Sequence, residues 1–243
     1  MSREKELTTG GSEVRRYDVP TGDPHVAEGS AEVHAALRAH FDALLGPPAA
    51  VLEDTGGTHV RIDVHFVAPS ATRPTWTLYT LGMSDRPMRS PSPGAPALAE
   101  LVVSLPAGWK VDKASLADEA WYWPVRALRL LASFPHVYDT CLGVGDTVGN
   151  GDPPVPFAAG CPFSALLVRV PAGISAEAAR VVTPAGEVRL YAMVPLTAAE
   201  IELKLEKGTD ALLAALDAAG VGDVVDIGRP GAAAPRKRWY QVF

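Results

Sequence analysis

Cysteine is scarce. Cys141 and Cys161 are the pair in 243 residues, and no C-x-x-C spacing suggests a zinc or redox motif. A chain this long buries enough surface to fold without cross-links. Basic residues are also short, 22 Lys and Arg against 28 Asp and Glu, a net charge of −6. That balance disfavours a nucleic-acid binder and suits a basic partner. No run approaches the ~18 apolar residues of a membrane span. Residues 1–16 hold no apolar core of a signal peptide. The chain therefore reads as cytoplasmic, with neither membrane nor nucleic acid as partner.

The usual catalytic signatures are missing as well. The loop 143–149, GVGDTVG, has valine where a dinucleotide fingerprint needs its third glycine, and prolines follow it instead of a helix. There is no G-x-S-x-G and no H-E-x-x-H. Cys141 and His136 stand five apart, a spacing that builds a nucleophile pair only if the fold places them so. Among six histidines, His59 and His65 flank Asp63, and that trio is the one candidate metal set, with a metal-dependent hydrolase as the enzyme reading. The expectation is no cofactor, no metal and no catalysis.

What is present centres on residues 59–88. Val60, Ile62, Val64 and Phe66 alternate with His59, Arg61, Asp63 and His65, the period of a strand with one polar face. A proline-marked turn leads to the β-forming run Thr75–Leu81, so the pair predicts an antiparallel hairpin. Gly82 then opens a loop carrying Met83, Ser84, Asp85, Arg86 and Met88.

Elsewhere, Ser30 caps a predicted helix with Val33, Leu37, Phe41, Leu44 and Leu45 on one face, ended by Gly46-Pro47-Pro48. Residues 98–105 read as a central strand, 163–170 and 187–194 as further strands, and 221–227 as a last short one. Trp121-Tyr122-Trp123 precedes a helix expected to begin at Pro124 and halt at Pro135. The run 143–162 reads as a long loop. Thr197 and Glu200 form a capping box for a helix stopped at Gly208, and Thr209 caps another. The expected fold is α/β (α+β), a mixed, mostly antiparallel sheet flanked by helices. The expected layout is a loose arm over 1–29, one domain over 30–230 and a tail over 231–243.

Residues 75–88 resemble the suppressor-of-fused family, through Thr80-Leu81-Gly82-Met83-Ser84-Asp85 and the Arg86-Pro87-Met88 that follows it in bacterial members. The resemblance continues at Glu100–Pro106, Trp123–Arg126, Phe134-Pro135, Gly145–Thr147 with Asn150-Gly151, Val194–Thr197 with Glu200, and Val225–Pro230. It implies a non-catalytic protein-binding domain. Animal relatives hold Gli-type transcription factors in a groove between two domains, a groove not expected here. Bacterial relatives are implicated as immunity proteins of polymorphic toxin systems, which makes a toxin the expected partner and a regulatory scaffold the alternative. The partner surface is sought at Asp63 and His65, at Met83, Ser84, Asp85, Arg86 and Met88, and at Asp146 and Asn150.

Overall fold

The computed structural model describes residues 6–17, 25–89 and 94–233. Its centre is an eight-stranded sheet whose middle strands are largely apolar in sequence. The strands are β3 (Ala50–Leu52), β4 (Asp63–Val67), β5 (Thr75–Leu81), β6 (Leu98–Pro106), β7 (Thr147–Gly149), β8 (Phe163–Arg169), β9 (Arg180–Thr183) and β10 (Gly186–Thr197). They run in the order β3-β4-β5-β6-β10-β8-β7, with β9 beside the first half of β10. The β6–β10 pairing is parallel and the others are antiparallel, so the sheet is mixed and mostly antiparallel, as expected. A separate small hairpin joins β1 (Glu6–Leu7) to β2 (Glu13–Val14), and the Gly10 amide at its tip donates to the Leu205 carbonyl.

Period-two alternation divides the core into two faces. Val64, Phe66, Leu78, Leu101 and Val103 point to one side, against Trp123, Leu128 and Leu131 of α2 (Glu119–Val137). Val67, Tyr79, Leu81 and Val102 point to the other, against Val33, Leu37 and Phe41 of α1 (Ala31–Leu45). Farther along that second face, Leu212 and Leu216 of α4 (Thr209–Ala218) cover Leu167, Val194 and Leu196, with α3 (Ala198–Lys207) leading into α4. The result is three layers, helix on sheet on helix.

Both predicted caps form. The Ser30 hydroxyl accepts from the Val33 amide, and the Thr197–Glu200 capping box is complete. Several boundaries differ. Helix α2 begins at Glu119, because Asp118 accepts from the Ala120 amide as its N-cap, so the Trp121–Trp123 aromatics lie in the helix. Trp123 is buried and stacks on Phe157 at 5.3 Å. Pro135 does not stop α2. Burial of Leu131, Ala132 and Pro135 holds the last turn, and the Tyr138 amide still reaches the Phe134 carbonyl. At the next helix pair, Gly208 rather than Thr209 occupies the N-cap of α4.

Two differences concern strands. The 143–162 loop contains β7. Residues 221–227 form a single bridge to Ser104, whose backbone exchanges bonds with Asp223 and Val225, and no strand. Both cysteines are free. No helix among the described residues is long and apolar enough to cross a membrane. Of the expected arm and tail, residues 1–5, 18–24 and 234–243 lie outside the described residues.

Candidate functional site: a braced loop and an acidic cleft

The loop after β5 folds back over the start of β6. Gly82 takes a φ of 119°, and a Cβ there would run into the Arg61 carbonyl. Met83–Asp85 then form one 3-10 turn. Glu100 of β6 holds this turn from beneath. Its fully buried carboxylate accepts from the Thr80 hydroxyl at 2.6 Å, the Gly82 and Ser84 amides at 3.0 Å each, and the Ser84 hydroxyl at 2.7 Å. The Thr80 hydroxyl in turn accepts from the Leu101 amide at 2.8 Å. Burial drives the Glu100 carboxyl up to about 7, and these donors restrain the rise.

Asp85 projects from the same turn toward α1. Its Oδ1 lies 2.6 Å from His34 Nε2, with side-chain exposures of 5% and 25%. The hydrogen bond to Asp85 raises the His34 pKa against the opposing effect of burial, and the nearby Glu100 charge adds to the rise. The chain before α1 lies tight on this pair, since a Cβ on Gly29 would strike both the Asp85 carboxylate and the His34 ring. The Ala27 amide ties that segment to the His59 carbonyl at 2.8 Å.

A cleft of about 790 Å³ opens here, bounded by the 25–29 segment, the start of α1, the β3–β4 connection and Asp85. Among the described residues its wall carries five carboxylates, Glu28, Glu53, Asp54, Asp63 and Asp85, against the guanidinium of Arg61 and the imidazoles of His25 and His34. Asp54 accepts from the Gly56 and Ile62 amides, and Asp63 accepts from the Asp54 amide at 2.8 Å. Those two carboxylates shape the wall, while Glu28 and Glu53 are exposed on it.

The expected site residues fall in three places. Asp85 and Asp63 line the cleft, and Arg86, next to Asp85 in sequence, is half-exposed and not among the lining residues. Met83, Ser84 and Met88 are buried, the methionines in the α2-side core and Ser84 on Glu100, so none offers its side chain to a partner. His65 is buried too. Helix α1 covers that face of the sheet, and the imidazole stacks on Tyr79 at 4.7 Å, so the polar strand face expected there is an interior one. Burial lowers the His65 pKa, and neither ring nitrogen has a hydrogen-bond partner among the described residues.

Asp146 and Asn150 lie by the opposite edge strand, five strand spacings or about 24 Å from β4. Each closes a turn. Asp146 accepts from the Gly143 amide at 2.8 Å, and Asn150 donates to the Val155 carbonyl at 2.8 Å. The buried Lys204 donates to the Gly145 carbonyl and the Thr147 hydroxyl from below. The hydrolase trio is not assembled: His65 lies beneath α1, His59 pairs with the Thr58 hydroxyl, and Asp63 braces the Asp54 amide. Among the described residues no group of three His, Cys, Asp or Glu side chains is placed to hold a metal.

Sequence reasoning missed Glu100, His34, Glu28 and Glu53 as site residues. The available signal was Glu100 itself, a lone carboxylate inside an apolar strand. A second brace joins two more stretches of interest. Glu200 at the start of α3 takes both Arg229 nitrogens at 2.5 and 2.8 Å, plus the Ala232 and Thr197 amides at 2.8 Å. Burial alone would raise the Glu200 pKa, but Arg229 and the two amides outweigh it and hold it below the ordinary value.

These features define a class: a three-layer α/β protein whose buried polar clusters fix its loops, one of them beside an open acidic cleft. The family model of suppressor of fused protein (SUFU) matches residues 58–230, and the chain belongs to that family. No curated protein sequence matches it significantly. Among solved structures, a SUFU homologue from Neisseria gonorrhoeae FA 1090 superposes with a TM-score of 0.58 at 16% identity, covering 84% of this chain and 99% of that one. A chain of the Sufu–Fu complex gives 0.60 at 14% identity, covering 83% of this chain and 92% of its own length. Drosophila Suppressor of Fused gives 0.58 at 16%, with 83% of this chain on 51% of that one. At these identities the superpositions show a shared fold.

Proposed function

We propose that this chain is a non-catalytic protein-binding domain that works in the cytoplasm as an immunity-type protein, holding and neutralising a cognate polymorphic toxin. The observation that carries the reading is how the polar groups are used. Glu100, Asp54, Asp63, Asp146 and Asn150 all use their polar groups to brace loops, so they stiffen projecting segments and do not themselves assemble an acid–base–nucleophile set. Rigid loops lower the ordering cost of docking a protein. Membership in a family with a relative captured in the Sufu–Fu complex supports the same direction.

The test is co-expression with the protein encoded beside this gene, which the immunity reading expects to be the toxin. Wild-type chain restores growth and co-purifies with the toxin in a stoichiometric complex. Continued killing with no complex refutes the immunity reading. Sequestration of a non-toxic neighbour, seen as a stable complex with no effect on growth, supports the scaffold alternative.

A further inference from the structure

We propose that the outer edge of β3 and the adjoining acidic cleft form one docking surface for an extended, lysine- or arginine-bearing segment of a partner protein, which adds to the sheet as a strand. This rests on the protein-binding reading above and names where and what it binds. β3 ends the sheet, and no described strand pairs with its outer side. Unpaired strand edges accept extended peptides through main-chain hydrogen bonds. β3 carries neither lysine nor proline to block such pairing; Ala50 is exposed, and Val51 is 44% exposed.

The chain leaves β3 directly into Glu53 and Asp54, both on the cleft wall. Glu53 follows β3 directly and shares the cleft wall with Glu28, so a strand laid on β3 and continued in that direction runs toward both carboxylates, with Arg61, His25 and His34 as the basic groups on the same wall. The charge there calls for a basic side chain. The edge is also firm. Arg129 of α2 donates to the Leu52 carbonyl at 2.6 Å and the Ile62 carbonyl at 3.1 Å, which fixes the end of β3 and the chain entering β4.

The experiment uses the full chain and a labelled heptapeptide, Lys-Val-Lys-Val-Lys-Val-Lys, followed by fluorescence anisotropy. Saturable binding is expected, with hydrogen exchange slowed at residues 49–53. The variant Glu28→Lys with Glu53→Lys, both exposed and outside the brace, weakens it roughly tenfold or more. The same peptide N-methylated at its valines binds far more weakly, because it cannot form the ladder. If the lysine variant melts early, Glu28→Gln with Glu53→Gln replaces it and still weakens binding. Absence of saturable binding, equal affinity for the N-methylated peptide, or unchanged affinity in the variants overturns the proposal. Neutralisation of the toxin that survives in Glu28→Lys with Glu53→Lys also overturns it, while leaving the protein-binding reading intact.

Discussion

Glu100 makes a quantitative prediction because a single buried carboxyl holds the Gly82–Asp85 turn. Its ordinary value is 4.5, and burial lifts it to about 7 in the folded chain. Between those values the native state keeps a proton that the unfolded chain has released. Stability from this group is therefore greatest below pH 4.5 and falls as pH rises toward 7, by about 1.4 kcal/mol per pH step. Glu100→Gln removes that dependence and keeps the geometry. Its carbonyl oxygen accepts from the Gly82 and Ser84 donors, and its amide donates to the Thr80 hydroxyl. Urea unfolding of both proteins from pH 5 to pH 8 checks it. The stability of Glu100→Gln should gain on wild type by roughly 2–3 kcal/mol across that range, about 1 M in urea midpoint at an m-value of roughly 2–3 kcal/mol/M. Glu100→Ala loses the same pH dependence but starts lower at every pH, with two buried amides left without an acceptor at roughly 1–3 kcal/mol each. A constant difference between wild type and Glu100→Gln from pH 5 to 8 refutes the argument. It would mean that the four donors cancel the effect of burial.

His136 works with the opposite sign. Burial pushes it down to about 4, so its contribution is present above pH 6.5 and is lost as pH falls toward 4, roughly 3 kcal/mol in all. His136→Gln should flatten the acid limb of the stability curve, measured as melting temperature between pH 4 and 7. Arg229→Met strands the buried Glu200 carboxylate and should cost about 3–5 kcal/mol in urea unfolding. Adding Glu200→Gln should recover most of that loss, since glutamine still caps the Thr197 amide.

The layers of this fold were legible because their residues obey one period at a time. α1 shows a helical stripe between Ser30 and Gly46. β4, β5, β6, β8 and β10 are long enough for alternation or an apolar run to speak. β3, β7 and β9 are three or four residues each, and a neighbouring strand defines them more than their own composition does. The 221–227 run shows the reverse error, since apolar residues there lean on Ser104 through one bridge. At the site, Asp63 and Asp85 line the cleft, but the cleft itself was not legible, because its wall is gathered from segments spread between residues 25 and 85. Met83, Ser84 and His65 were misplaced for a shared reason. Sequence shows a polar or adaptable side chain, but what covers it is a distant element, α2 for Met83, Glu100 for Ser84 and α1 for His65.

The parallel union of β6 with β10 has a bearing on synthesis. β6 ends at Pro106, and its partner begins at Gly186. At roughly 5–20 residues per second, a ribosome needs about 4–16 s to deliver that partner. Throughout that interval the nascent β3–β6 half has an open, strongly apolar flank at what becomes the middle of the finished sheet. A ribosome-associated holdase suits that pause, and truncations ending between 110 and 180 should be captured by it or precipitate.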